Sequence, residues 1–229
     1  MKTLIFDIET GPIAQDELLA MMPAFDPAEV RTGNIRDPEK IAAKVEDARA
    51  NHQRDYIDRA ALDAITGRVI AIGVLSFDVR GESGPEWSKG ALTIIGRDNE
   101  ADTLREFWAM TYGEHGRQCP LVGFNCNSFD LPFLFKRSWK YGVMVPTGLR
   151  RGRFWSEQVL DLRDVWQLGD RMAKGSLDAI ARHLGCGQKN GDGKDFARLW
   201  QSDRAKAIEY LTNDLRMTAA IAGRLGVHI

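Results

Sequence analysis

The chain has 229 residues, 44% of them hydrophobic and 28% charged, which is enough for one sizeable α/β domain with its own core. A formal net charge of −1 argues against a protein that coats nucleic acid along its length, because such coating relies on many Lys and Arg contacts to phosphate. It leaves room for an enzyme that grips only an end. No apolar run approaches the roughly 18 residues of a membrane span. The cysteines Cys119, Cys126 and Cys186 are dispersed and form no C-x-x-C pair, so neither a disulfide framework nor a zinc knuckle is indicated and a reducing cytoplasm is expected.

A first strand is predicted at residues 3–8, ended by Gly11-Pro12. Asp7 and Glu9 interrupt what would otherwise resemble the start of a signal peptide, so the amino terminus reads as a folded strand. Residues 12–67 form a long connection. Within it, residues 38–63 are rich in Ala, Lys, Glu and Arg, and Ile41, Val45, Ala48 and His52 recur near helical spacing. A helical insertion is therefore expected rather than a disordered loop, either packed on the sheet edge or acting as a lid, since it begins just after Glu9.

The next strand is predicted at residues 68–77, and residues 91–95 pair with it after a Gly-rich turn at 81–84, which gives an antiparallel meander. A helix then starts with Asp98 as its N-cap and buries Leu104, Phe107 and Trp108. Residues 120–124 read as a short buried strand, followed by a helix at 128–141. Residues 158–162 read as the last strand, and helices follow at 176–184, 195–200 and 202–225. Strands first and strand–helix alternation afterwards give an α/β fold, a mixed sheet flanked by helices, in one domain spanning residues 1–229 with the helical insertion at 12–67.

Short carboxylate-bearing motifs carry the chemistry. Asp7 and Glu9 are two apart on a strand and share one side, with Phe6 and Ile8 toward the core. Asp130 lies in the first turn of its helix, after Asn125 and Phe129. Tyr210 and Asp214 are four apart and share one face of the last helix. These acids have apolar neighbours, which makes them costly unless something positive meets them, and the motifs themselves contain no Lys or Arg. Oxygen-only clusters favour Mg²⁺ or Mn²⁺ over Zn²⁺. Two such ions about 4 Å apart activate a water and stabilise the leaving oxygen of a phosphodiester. Taken singly, each motif has an ordinary explanation: a strand end, a helix-dipole acid, a common helical Tyr-x-x-x-Asp. Phe129 is as readily a core residue, and Asn125 a turn residue.

In this order the motifs resemble those of the DEDD exonuclease superfamily, tyrosine subclass, with a ribonuclease H-like fold. The likeness is to stand-alone relatives of the proofreading domain of family B DNA polymerases. Asp7 and Glu9 stand at the acidic positions of the first motif; Asn125, Phe129 and Asp130 match the second; Tyr210 and Asp214 match the third. Glu209 stands where the histidine subclass would have His. The resemblance implies a metal-dependent 3′–5′ exonuclease that releases nucleoside 5′-monophosphates. Asp7, Glu9 and Asp214 would bind one Mg²⁺ or Mn²⁺, and Asp7 and Asp130 a second, partly through water. Tyr210 would orient the attacking water, since a phenol with a pKa of about 10 stays protonated at neutral pH. Asn125 and Phe129 would contact the terminal nucleotides, and Thr10 would lie beside the 3′ end.

Residues 131–156 contain no acid, while Lys136, Arg137, Lys140, Arg150, Arg151 and Arg153 accumulate there. Such a strip beside Asp130 suits a phosphate backbone, with Arg150, Arg151 and Arg153 in a Gly-flanked loop as the preferred contacts and Trp139, Tyr141, Phe154 and Trp155 as stacking faces. The alternative is a solvated helix face followed by a basic loop. Lys174 and Lys189, near Gly-rich turns, are weaker candidates. Asp161 and Asp164 read as capping groups, and the four histidines share no ligand spacing. The expected partner is a DNA 3′ end, single-stranded, with no membrane. An exoribonuclease and a catalytically silent binding module are the alternatives. With no polymerase segment after Ile229, proofreading within one chain is not expected, and repair, recombination and nucleotide recycling stay open.

Overall fold

The computed structural model describes residues 2–79, 84–113, 116–151, 154–170 and 172–227. Its strands are β1 (Lys2–Pro12), β2 (Gly67–Asp78), β3 (Ala91–Ile95), β4 (Leu121–Gly123), β5 (Arg150–Arg151), β6 (Phe154–Trp155) and β7 (Val159–Asp161). Five of them form one sheet in the order β3-β2-β1-β4-β7, while β5 and β6 make a separate antiparallel hairpin. β3 runs antiparallel to β2, with Ile72 opposite Ile95; β1, β4 and β7 run parallel, with Leu4 opposite Leu121 and Leu121 opposite Val159. The mixed sheet expected from the sequence is thus present.

β1 sits at the centre because residues 3–6 and Ile8 are apolar or hydroxylic and all are buried, as a strand covered on both faces requires. Its pleat sorts them. Ile5 joins a core with Ala71, Leu75, Val122 and Leu211, whereas Phe6 packs on Phe107, which in turn meets Trp108. Helices α3 (Glu100–Met110) and α4 (Asp130–Lys140) build the aromatic side. The other core takes in residues of α5 (Leu162–Gln167), α6 (Leu177–Leu184), α7 (Phe196–Ser202) and α8 (Arg204–Arg224). Gly73 lets α8 lie close on β2, since a Cβ there would come 2.6 Å from Leu215 Cδ1.

Local details differ from expectation where neighbouring residues share the same chemistry. Asn99, not Asp98, caps α3, its side chain accepting from Ala101 N at 2.8 Å. β1 continues through Gly11-Pro12, which fits a strand end where proline need not donate to a ladder. Arg137 does not belong to an exposed basic strip. It is 1% exposed and donates Nε and Nη2 to the two oxygens of Glu100 at 2.8 and 2.7 Å. Of the expected turn at 81–84, residues 81–83 lie outside the described residues.

Gly11–Arg68 forms a compact unit of its own. It contains α1 (Gln15–Ala20) and α2 (Pro38–Arg59), and Ile13, Leu18 and Ala60 make its small core with Tyr56 and Ile57. Ile41, Val45, Ala48 and His52 are the half-buried stripe of α2, and no residue of that helix is fully buried. His52 Nε2 lies 2.9 Å from Pro23 O, and Arg49 stacks on Phe25. Among the described residues, no helix is long and apolar enough to cross a membrane.

Candidate active site

The third motif meets the first because α8 packs along the sheet. One carboxylate oxygen each from Asp7, Glu9 and Asp214 lie within 4.8 Å of one another. Asp130 arrives from a different direction. It opens α4, is 4% exposed, and its Oδ1 accepts the backbone N–H of Ile8 at 3.1 Å. That bond anchors the second motif to the strand segment between the two acids of the first.

Burial and mutual repulsion dominate the electrostatics. Loss of water, then the charge of Asp214, pushes the Asp7 carboxyl up to about 7. Glu9 is held well above the ordinary carboxylate range by burial and by Asp7 and Asp214, and Asp130 by burial and by Asp7. Asp214 is also raised by burial, against the opposing pull of Lys189.

Lys189 is the cation of this corner. Its Nζ donates to Asp214 Oδ2 at 2.6 Å and to the Tyr210 hydroxyl at 2.9 Å. Burial works against its charge, yet these bonds hold it above the usual lysine range. Lys189 N donates to Asp178 Oδ1 at 2.7 Å, and Asn213 Nδ2 donates to Gln188 O at 3.0 Å, which ties the segment between α6 and α8. Gly191 allows that segment to lie on Tyr210, since a Cβ there would be 2.9 Å from the ring. The sequence marked Lys189 only by its Gly-rich surroundings.

Among the described residues, Lys189 alone does not balance these acids. Asp214 Oδ1 is buried without a hydrogen-bond partner, although Oδ2 is taken by Lys189. A buried carboxylate oxygen left open, in an oxygen-only set with raised pKa values, fits a hard divalent cation. Tyr210 is 4% exposed, and burial raises its pKa, so the phenol is protonated at neutral pH. Its oxygen accepts from Lys189, and a hydrogen bond with Tyr210 helps Lys189 oppose the rise in the Asp214 pKa.

The second motif is held by a residue whose wider part the sequence concealed. Asp161 caps α5, accepting from Arg163 N at 2.9 Å, as expected; it also accepts from Asn125 N at 2.7 Å and from Asn127 N at 2.9 Å. Asn125 sits at φ 60°, a left-handed conformation that Asn tolerates. Its Oδ1 accepts from Arg163 Nη1 at 2.9 Å, and Asn127 Nδ2 donates to Asp164 Oδ2 at 2.8 Å. Phe129 is partly exposed, its ring 5.6 Å from that of Phe133. Thr10 is half-buried on β1 beside Glu9.

The loop expected to carry Arg150, Arg151 and Arg153 is the β5–β6 hairpin. Arg150 is exposed and stacks 4.6 Å above Trp155, and Arg151 pairs with Phe154 in register. Arg153 lies outside the described residues. Trp155 Nε1 donates to Asn127 O at 3.1 Å, joining the hairpin to the second motif. Lys174 is exposed. His52 and His183 contact Phe25 and Trp166, far in sequence from any motif; His115 and His228 lie outside the described residues.

A family model described as a predicted 3′–5′ exonuclease related to the exonuclease domain of PolB matches residues 62–219. That range takes in Asp130, Tyr210 and Asp214 and stops short of Asp7 and Glu9. In three dimensions the chain is similar to the family B DNA polymerase of the hyperthermophilic archaeon Pyrobaculum calidifontis, with a TM-score of 0.61 and 18% identity over 98% of this chain and 24% of that one. The chain thus spans about a quarter of the polymerase, and the likeness shows a shared fold over that part. No curated protein matches the sequence.

Proposed function

We propose that this chain, which belongs to the family of predicted 3′–5′ exonucleases related to the exonuclease domain of PolB, removes nucleotides one at a time from a single-stranded 3′ end of DNA. The observation that carries the reading is the convergence of Asp7, Glu9 and Asp214 within 4.8 Å, with Asp130 bonded to the same strand. Asp7, Glu9 and Asp214, the last with its open Oδ1, would hold one Mg²⁺ or Mn²⁺, and Asp7 and Asp130 would hold a second, partly through water. When bound, the cations lower the pKa of a water and stabilise charge on the leaving oxygen.

The chain's own residues do the rest. Water adds to the terminal phosphorus and gives a proton to solvent. The bond to the 3′ oxygen of the preceding nucleotide breaks, that oxygen takes a proton from solvent to become the new 3′ hydroxyl, and a nucleoside 5′-monophosphate leaves. Tyr210 orients the attacking water through its hydroxyl. It is not the base, since burial keeps the phenol protonated. Lys189 holds that hydroxyl in place and shares Asp214 with the cation. Asn125 and Phe129 meet the terminal nucleotides, Thr10 borders the 3′ end, and Arg150 contacts phosphate.

The test is incubation of 5′-labelled single-stranded DNA, duplex DNA and RNA with the protein and Mg²⁺ or Mn²⁺, alongside Asp7→Asn. A stepwise ladder on single-stranded DNA that vanishes in the variant is the expected result. Equal activity in both proteins would sink the assignment, and RNA degraded much faster than DNA would move it to an exoribonuclease.

A further inference from the structure

Beyond the carboxylates, the molecule exposes aromatic surface on one face of α4. Trp139 is 64% exposed at the far end of the helix from Asp130. Lys136, three residues before it, is exposed on the same face, and Lys140, the next residue, is exposed one step round the helix. Beneath them, Phe135 is 5% exposed and meets two indoles, Trp139 at 5.9 Å and Trp155 at 5.5 Å between ring centroids. Trp155 carries Arg150 on its ring and bonds Asn127 in the second motif, and its strand neighbour Phe154 is 62% exposed. Exposed rings and cations therefore stand at both ends of a chain of ring contacts, through buried Phe135, that leads from the motif ending in Asp130 to the end of α4.

We propose that this surface is a second nucleic-acid subsite, a stacking platform for the single-stranded DNA segment upstream of the terminal nucleotides, with Trp139 as its outermost ring. The proposal rests on the exonuclease reading, which brings a single strand to Asp130. Its own support is chemical complementarity. Bases stack on aromatic faces without regard to sequence, and lysines flanking a ring meet the phosphates on either side. Residues 131–156 contain no acid to repel such a strand. Strands long enough to reach Trp139 gain affinity from it, and strands covering only the catalytic corner do not.

The experiment measures fluorescence anisotropy of a short and a long 5′-labelled oligothymidylate with Asp7→Asn protein, so that the strands survive. Adding Trp139→Ala should weaken the long strand about tenfold and leave the short one unchanged, and Trp139→Phe should regain most of the loss. Replacing Lys136 and Lys140 with Gln should lower the salt dependence of long-strand binding by a slope of about 1.4. Unchanged long-strand affinity in Trp139→Ala, or equal loss on both lengths, overturns the platform. Binding is read apart from hydrolysis. A Trp139-dependent affinity in a protein that makes no ladder keeps the platform and drops the nuclease; a ladder with Trp139-indifferent binding does the reverse.

Discussion

Glu9 and Glu100 are each 8% exposed, yet their surroundings differ in kind. Glu100 accepts from Arg137 through both oxygens and from Val69 N at 2.8 Å, so each of its oxygens has a donor. Glu9 stands among Asp7, Asp214 and Asp130, with Lys189 as the cation opposing them. Depth of burial is the same; what separates the two is whether the fold supplies the counter-charge. A buried carboxylate with its own guanidinium ties α3 to α4, whereas a cluster short of positive charge stores repulsion that a ligand relieves.

Substitutions on the two sides should therefore have opposite signatures. Asp7→Asn should lower exonuclease turnover by at least about a hundredfold while raising the stability of the metal-free protein, because it removes one repelling charge. Glu100→Gln should do the reverse, costing roughly 3–5 kcal/mol of folding stability by removing the negative charge that meets the buried Arg137 guanidinium, with turnover per folded molecule nearly kept. Denaturant melts paired with single-turnover assays check both. If Asp7→Asn were the less stable protein, the contrast between stored repulsion and satisfied pairing would be wrong.

Local spacing made half of this contrast legible. The i, i+2 period placed Asp7 and Glu9 on one side of β1, and the i, i+4 period placed Tyr210 and Asp214 on one side of α8. Strand and helix positions followed from apolar patterning for the same reason. What stayed hidden depends on tertiary contact. Lys189 reaches Asp214 across 25 residues, Asp161 reaches Asn125 across 36, and Arg137 reaches Glu100 across 37. Nothing near Arg137 distinguishes it from Lys136, which is exposed, because only the packing of α3 against α4 decides which cation is buried. Arg150 was legible as a cation, but its hairpin required the pairing of two-residue strands, too short for any period.

The same contrast has a pH signature. With the Asp7 pKa raised from 3.8 to about 7, the folded protein holds a proton that the unfolded chain has released between those values. Its stabilising contribution is then fully present below about pH 4 and is lost as pH rises through about 7. In EDTA, the wild-type melting temperature should fall between about pH 5 and about pH 8, and Mg²⁺ should restore it at the higher pH by binding only the folded form. Asp7→Asn should flatten the curve. Scanning fluorimetry across that range would show identical profiles for the two proteins if Asp7 did not titrate there.

The smallest expected effect concerns Lys189, the cation that bonds into the acid corner among the described residues. Lys189→Met would remove the cation bonded to Asp214 and deepen the negative charge, so Mn²⁺ should bind the variant more tightly, by roughly two- to tenfold. Turnover should nevertheless fall, because the Tyr210 hydroxyl loses the ammonium that fixes it. Tighter metal with slower chemistry separates a shared counter-charge from a simple scaffold. Calorimetric titration showing weaker Mn²⁺ binding would mean instead that Lys189 builds the site by holding Asp214 in position, as Arg137 does for Glu100, and the two regions would then differ in degree rather than in kind.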